Sequence, residues 1–172
     1  CPPREDDVPT AVTEADFDVA VVENGFPSLQ EDPPDPAVEG DDLHPVRPAE
    51  GVCEVVLYTP DHDAVMSELP ATKFGKIARV WRDRYRELGD RDEIDYVFPF
   101  ENKGDAMGVT LDHPHGQIYA YSFVPPIVER ELAASRDYLA EEGTCLFCDL
   151  VASEVAAGER VVAENDSFVA VV

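Results

Sequence analysis

Polar and apolar positions alternate or recur along the chain in ways that mark out most of its elements. Phe17 to Glu23 (FDVAVVE) and Val52 to Tyr58 (VCEVVLY) are short runs of β-branched and aromatic residues bounded by turn residues, the signature of partly buried strands. Tyr96 to Phe100 and Gln117 to Phe123 read the same way. Between Ala71 and Leu88, Phe74, Ile77, Ala78, Trp81, Tyr85 and Leu88 recur at helical spacing, with charged residues on the opposite face, so this segment is expected to be an amphipathic helix. A second helix is expected from about Pro126 to Leu139, since proline suits a first helical position. Gln30 to Glu50 holds five prolines and seven acids, too few apolar side chains to pack and too many prolines for a ladder. It should form a solvated excursion.

The chain also echoes itself. Cys148 to Phe168 (CDLVASEVAAGERVVAENDSF) repeats the pattern of Cys1 to Phe26, with Asn165 where Asn24 stands, which points to an internal duplication. SFVAVV at 167–172 then opens a strand that the last residue interrupts. We therefore expect a piece of a longer chain: a first repeat over 1–142, its N-terminus clipped, and the start of a second over 143–172.

Composition narrows the class. With 44% apolar residues in 172, the chain can bury a core. Thirteen basic against 37 acidic residues give a net charge of -24, a surface that repels nucleic acid and anionic membranes and predicts neither as a partner. Self-repulsion at this density destabilises the compact state unless mobile ions screen it, so a salt-loving source is expected. The four cysteines include one C-x-x-C pair, Cys145 and Cys148, and no signal peptide or 18-residue apolar window is evident, so free thiols or metal binding are expected over disulfides, and the cytoplasm as location. Cys53, in an apolar strand, reads as core, and His44, in the acidic excursion, as exposed.

The candidate chemistry lies in His113-Pro114-His115-Gly116-Gln117. Pro114 fixes its own φ and biases His113 toward an extended backbone, which holds the two imidazoles in a defined geometry. Gly116 lets backbone approach a phosphate. A neutral imidazole attacks phosphorus through one nitrogen when the other N–H is tied down, which makes His115 the candidate nucleophile. Gln117 can donate to a phosphoryl oxygen without titrating. A bare H-x-H is more often a metal-binding or packing pair, but Glu101-Asn102-Lys103-Gly104 and Ala106-Met107-Gly108 just upstream add polar groups, a cation and glycines suited to a phosphate cradle.

The stretch FENKGDAMGVTLDHPHGQIYAYSFVPP resembles the active-site segment of galactose-1-phosphate uridylyltransferases, members of the histidine-triad superfamily. The similarity runs from Cys1 through at least Glu131, and CLFCDL with RVVAENDSFVAVV resembles the opening of that family's second repeat. The resemblance implies UMP transfer from UDP-glucose to galactose 1-phosphate through a uridylyl-histidine, with His115 as nucleophile and Gln117 as phosphate holder. It further implies that Asn102, Gly108, Val109 and Thr110 contact the UDP-sugar, that Asn24 and Gly25 form an upstream nucleotide-binding pair, and that the enzyme is a homodimer. Zinc is implied, held by Cys1, His62 and His113 with a fourth ligand three residues before Cys1. So is a second metal, iron or zinc, with Glu131 as one ligand and the others outside this chain; Glu131 reads equally as a solvated helix acid. Cys145 and Cys148 read as half a zinc site or as free thiols.

Glutamine at 117 separates transfer from hydrolysis, because the hydrolytic branches of the superfamily resembled here carry at that place a third histidine able to shuttle a proton. Dinucleoside polyphosphate phosphorylases, similar in H-x-H-x-Q, and a metal-binding fragment without chemistry are the other readings. The expected fold is α+β, a histidine-triad-like, mostly antiparallel sheet with helices on one face and the HPH turn feeding a strand at the open side.

Overall fold

The computed structural model describes Val12 and residues 16–107 and 113–172. Two compact units divide between Phe123 and Val124. This is a boundary of contacts, whereas the expected division at 142/143 is one of sequence repeats.

In the first unit, β1 (Ala20–Glu23), β2 (Gly51–Leu57), β3 (Tyr96–Phe100) and β4 (His115–Tyr121) form an antiparallel sheet in the order β1-β2-β4-β3. All four expected strands are present, with ends shifted by up to three residues. The shift in β4 matters most: strand pairing starts at His115, opposite Leu57, so the histidine belongs to the strand itself.

The helix α1 (Ala71–Gly89) follows the expected span. Its apolar stripe buries Ile77 and Leu88, which join Val56, Tyr58, Ile94, Val97, Ile118 and Ala120 in one core on one face of the sheet. Along β4 the pleat alternates: Gly116, Ile118 and Ala120 are buried, while His115, Gln117, Tyr119 and Tyr121 are half-buried on the other face. A helix on one side therefore leaves His115 and Gln117 on the open side.

One polar link crosses the packed layer. Glu54 of β2 is 7% exposed and binds the Arg84 guanidinium of α1 through two hydrogen bonds, Arg84 Nε donating to Oε2 at 2.8 Å and Nη2 to Oε1. This pairing holds the arginine above its ordinary pKa. The Gln30–Glu50 excursion is closed at its neck by an isolated bridge, Gly51 N–H donating to the Gln30 carbonyl at 2.9 Å, and is otherwise largely exposed. Cys53 is 4% exposed and core-like, and His44 is exposed beside Asp41 at 3.0 Å, both as expected.

The second unit holds α2 (Pro126–Glu142), α3 (Leu146–Ala157) and a hairpin of β5 (Val161–Glu164) and β6 (Val169–Val171). α2 starts on Pro126 and stops at Gly143, whose φ of 73° suits glycine alone and turns its N–H onto the Leu139 carbonyl. No element was expected at α3, because its apolar residues do not gather on one stripe; Phe147, Leu150 and Val151 stay exposed. The echo noted in the sequence has a geometric counterpart. β1 ends in Glu23-Asn24, whose Asn24 Oδ1 accepts from the Phe26 N–H. β5 ends in Glu164-Asn165, whose Asn165 Oδ1 accepts from the Ser167 and Phe168 N–H groups. Among the described residues no helix is long and apolar enough to cross a membrane.

Candidate active site

The site forms where two paired strands leave the sheet together. β2 ends at Leu57 opposite His115, and Tyr58 extends the ladder by donating its N–H to the Pro114 carbonyl at 3.1 Å. The segment after β2 and the turn before β4 therefore run side by side. His62 and His113, distant in sequence, meet with their Nδ1 atoms 3.2 Å apart.

His113 is 1% exposed. Burial holds its pKa below the ordinary imidazole range, while the Thr59 backbone pulls the other way. Its Nε2 is buried without a hydrogen bond of good geometry. Two imidazole nitrogens so placed either share one N–H···N bond or aim two lone pairs at one cation. Neighbouring nitrogens on a tetrahedral zinc, at about 2.0–2.1 Å from the metal, lie about 3.3 Å apart. The observed spacing fits that edge. Among the described residues, no third His, Cys, Asp or Glu completes a cluster. Cys1 lies outside the described residues.

His115 sits two residues on, and its Nδ1 lies 2.7 Å from the backbone carbonyl oxygen of His113. A carbonyl oxygen only accepts, so Nδ1 carries the proton and Nε2 is left with a free lone pair. His115 lines a cavity of about 370 Å³, whose walls include His62, Glu101, Asn102, Lys103 and Gly104. The expected cradle residues 101–104 are thus gathered around the expected nucleophile.

Gln117 follows on the same face of β4, paired across the sheet with Val55 and Phe100. Beside it runs a ladder of rings that the sequence reading left unassigned: Phe98 stacks on Phe100 at 5.2 Å, and Phe100 meets Tyr119 edge-on at 5.1 Å. The period-two aromatics in YVFPF and YAYSF were the available signal. Tyr58 also went unassigned. It is fully buried, and its hydroxyl sits where a side chain on Gly116 would be. Burial and the Glu101 carboxylate push its phenol pKa up, so it stays protonated.

Asn24, another expected site residue, does not line the His115 cavity. Asn24 donates its N–H to the Cys53 carbonyl at 3.0 Å, four residues along β2 from Leu57, which is about 13 Å of strand. It lines a separate cavity with Arg84 and Arg91, and Gly25 follows it in the same loop. Glu131 is exposed on α2, and Cys145 and Cys148 are exposed free thiols at the start of α3. Hydrogen bonding to the Cys148 backbone lowers the Cys145 thiol pKa, and the bond to Cys145 raises that of Cys148. Gly108, Val109 and Thr110 lie outside the described residues.

An antiparallel sheet with one covered face, delivering a histidine of fixed tautomer at the first residue of a strand and a glutamine two residues on, defines an α+β protein with a histidine centre. Comparison with known proteins gives the family. A family model for the galactose-1-phosphate uridyl transferase N-terminal domain matches residues 2–125. The chain belongs to this family, as the HPHGQ segment led us to expect.

It is 40% identical over 159 residues to galactose-1-phosphate uridylyltransferase of Thermotoga maritima, covering 91% of this chain and 49% of that protein. It is 42% identical over 166 residues to the Streptomyces lividans protein of the same name, covering 95% and 41%. A solved uridylyltransferase structure superposes with a TM-score of 0.82 at 38% identity, covering 90% of this chain and 49% of the other. ADP-glucose phosphorylase from Arabidopsis thaliana, solved with bound ADP-glucose, superposes at 0.73 with 25% identity, covering 92% and 47%. The chain thus spans about half the length, or somewhat less, of the relatives it matches.

Proposed function

We propose that this chain carries the nucleophile of a transferase that moves UMP from UDP-glucose to galactose 1-phosphate through a covalent uridylyl-histidine. The contact that supports this reading most is the one between His115 Nδ1 and the His113 carbonyl, because it leaves Nε2 as the nucleophilic nitrogen of a residue that lines an open cavity.

In the first half-reaction, a bond forms between His115 Nε2 and the α-phosphorus. The bond from phosphorus to the bridging oxygen breaks, and its electron pair leaves on glucose 1-phosphate. Gln117 donates its amide N–H to a non-bridging oxygen as charge builds there. The second half-reaction reverses these changes with a phosphate oxygen of galactose 1-phosphate as attacking atom. Neither leaving nor attacking phosphate needs a proton moved at neutral pH, which suits glutamine rather than histidine at 117. The names of the relatives support the sugar and nucleotide assignment.

His62 and His113, with Cys1, would hold zinc, which when bound would cross-link the segments on either side of the histidine turn. Glu131 is our candidate ligand for a second metal, and we read the working enzyme as a homodimer. Asn102, with Gly108, Val109 and Thr110, would hold the UDP-sugar, and Asn24 with Gly25 a more distant part of the nucleotide.

The test uses full-length protein and UDP-glucose labelled in the α-phosphate. Acid-labile label on His115, released by galactose 1-phosphate, is the expected result. The likeness to ADP-glucose phosphorylase supports a second reading, nucleotidyl transfer to inorganic phosphate. Label from ADP-glucose or a dinucleoside polyphosphate, with none from UDP-sugars, would favour that one. No label from any nucleotide would leave a metal-binding module.

A further inference from the structure

Lys103 stands apart from the other lysines of this chain. There are three in the sequence, against 37 acidic residues. Lys73 and Lys76 both bind Asp18, Lys73 Nζ at 3.2 Å and Lys76 Nζ at 2.5 Å. Lys103 makes no ion pair with any described residue, although Asp63 and Glu101 line the same cavity. In so acidic a protein, a lysine beside two carboxylates yet bound to neither is available for an anion from outside.

Its surroundings show where that anion would be. Among the described residues, Lys103 is the only lysine or arginine lining the cavity that holds His115. The turn presenting it is fixed: Gly104 adopts φ 88°, a left-handed conformation that favours glycine, and its carbonyl accepts from the Met107 N–H at 3.0 Å. Asn102, which lines the same cavity, is a neutral amide, as is Gln117 two residues along β4 from His115. A sugar 1-phosphate dianion entering a chain of net charge -24 meets long-range repulsion, which a local cation would offset.

Resting on the transferase reading above, we propose that Lys103 binds the phosphate of the sugar 1-phosphate, as leaving group in the first half-reaction and as attacking group in the second. Its ammonium supplies a point charge to an oxygen whose negative charge grows as the bridging bond breaks. It acts as a charge and contributes no proton. Because it contacts the phosphate and not the sugar ring, it acts alike on glucose 1-phosphate and galactose 1-phosphate.

The test compares full-length wild type, Lys103→Met and Lys103→Arg. Lys103→Met should raise KM for both sugar 1-phosphates by about 10- to 100-fold, the scale of one charge-assisted hydrogen bond. The preference between the two sugars should not change, and Lys103→Arg should recover most of the loss. The gap between wild type and Lys103→Met should narrow in molar potassium chloride as screening weakens the attraction. An unchanged KM in Lys103→Met, an altered sugar preference, or an equal loss in Lys103→Arg would overturn the proposal. Absence of label on His115 in the wild type would instead overturn the transferase reading, so the two failures are separable.

Discussion

The imidazole of His115 and the backbone carbonyl of His113, two residues earlier, are 2.7 Å apart, so the chain's own backbone sets the tautomer of its candidate nucleophile. The pairing needs no third side chain, because Pro114 between them restricts the turn. His115→Asn should therefore reduce covalent nucleotide labelling by about four orders of magnitude or more, the scale seen when a nucleophile is removed. Thermal melts of the variant should stay within a few degrees of wild type, since His115 is only half-buried. Retained labelling in His115→Asn would remove the mechanism.

The facing Nδ1 atoms of His62 and His113 predict a metal-dependent stability. Full-length protein should retain zinc through dialysis, as measured by mass spectrometry of the metal. His62→Ala should retain much less, and a strong chelator should lower the melting temperature of wild type more than that of the variant. Equal zinc content in the two proteins would count against His62 as a ligand.

Gly116 lies directly over the Tyr58 hydroxyl, with the Phe100 carbonyl oxygen 3.1 Å from where a Cβ would stand. Tyr58 is fully buried and cannot easily move aside. Gly116→Ala should destabilise the fold by about 1–3 kcal/mol through overpacking. Adding Tyr58→Phe should restore part of that loss by removing the overlapping oxygen. Denaturant melts of wild type and the two variants decide whether the double variant is more stable than Gly116→Ala, as expected.

The buried pair of Glu54 and Arg84 gives an asymmetric expectation. Glu54→Ala leaves a partly buried guanidinium without its main partner and should cost about 3–5 kcal/mol. Glu54→Leu combined with Arg84→Met replaces both charges with apolar groups and should cost less. A double variant no more stable than Glu54→Ala would show that the packing space, not the lost charge partner, dominates.

The net charge of -24 predicts that circular-dichroism melts rise in temperature from low to molar potassium chloride. The described ion pairs on the surface lose strength with salt, yet they are few beside the surplus of acids, so reduced repulsion should win. Equal midpoints in both conditions would remove the idea of a salt-adapted protein.

Local pattern was enough for much of this molecule. The span of α1 follows from the spacing of Ile77, Trp81 and Leu88, the strands from their β-branched and aromatic runs, and the solvated excursion from its prolines and acids. These features depend on neighbours within a turn or a pleat, which adjacent residues record directly. HPHGQ likewise carried its chemical meaning in five consecutive residues.

Other relationships depend on strand register. His62 meets His113 because Leu57 pairs with His115; a one-residue slip would turn His115 and Gln117 into the core. The same register seats the Tyr58 hydroxyl beneath Gly116 and leaves Asn24 four residues along β2 from the His115 end. Sequence separation hides such contacts, since the residues involved lie 29 or more positions apart and their local patterns do not mention one another. The HPHGQ segment pointed to a candidate nucleophile, but which residues surround it was decided by how β2 and β4 align.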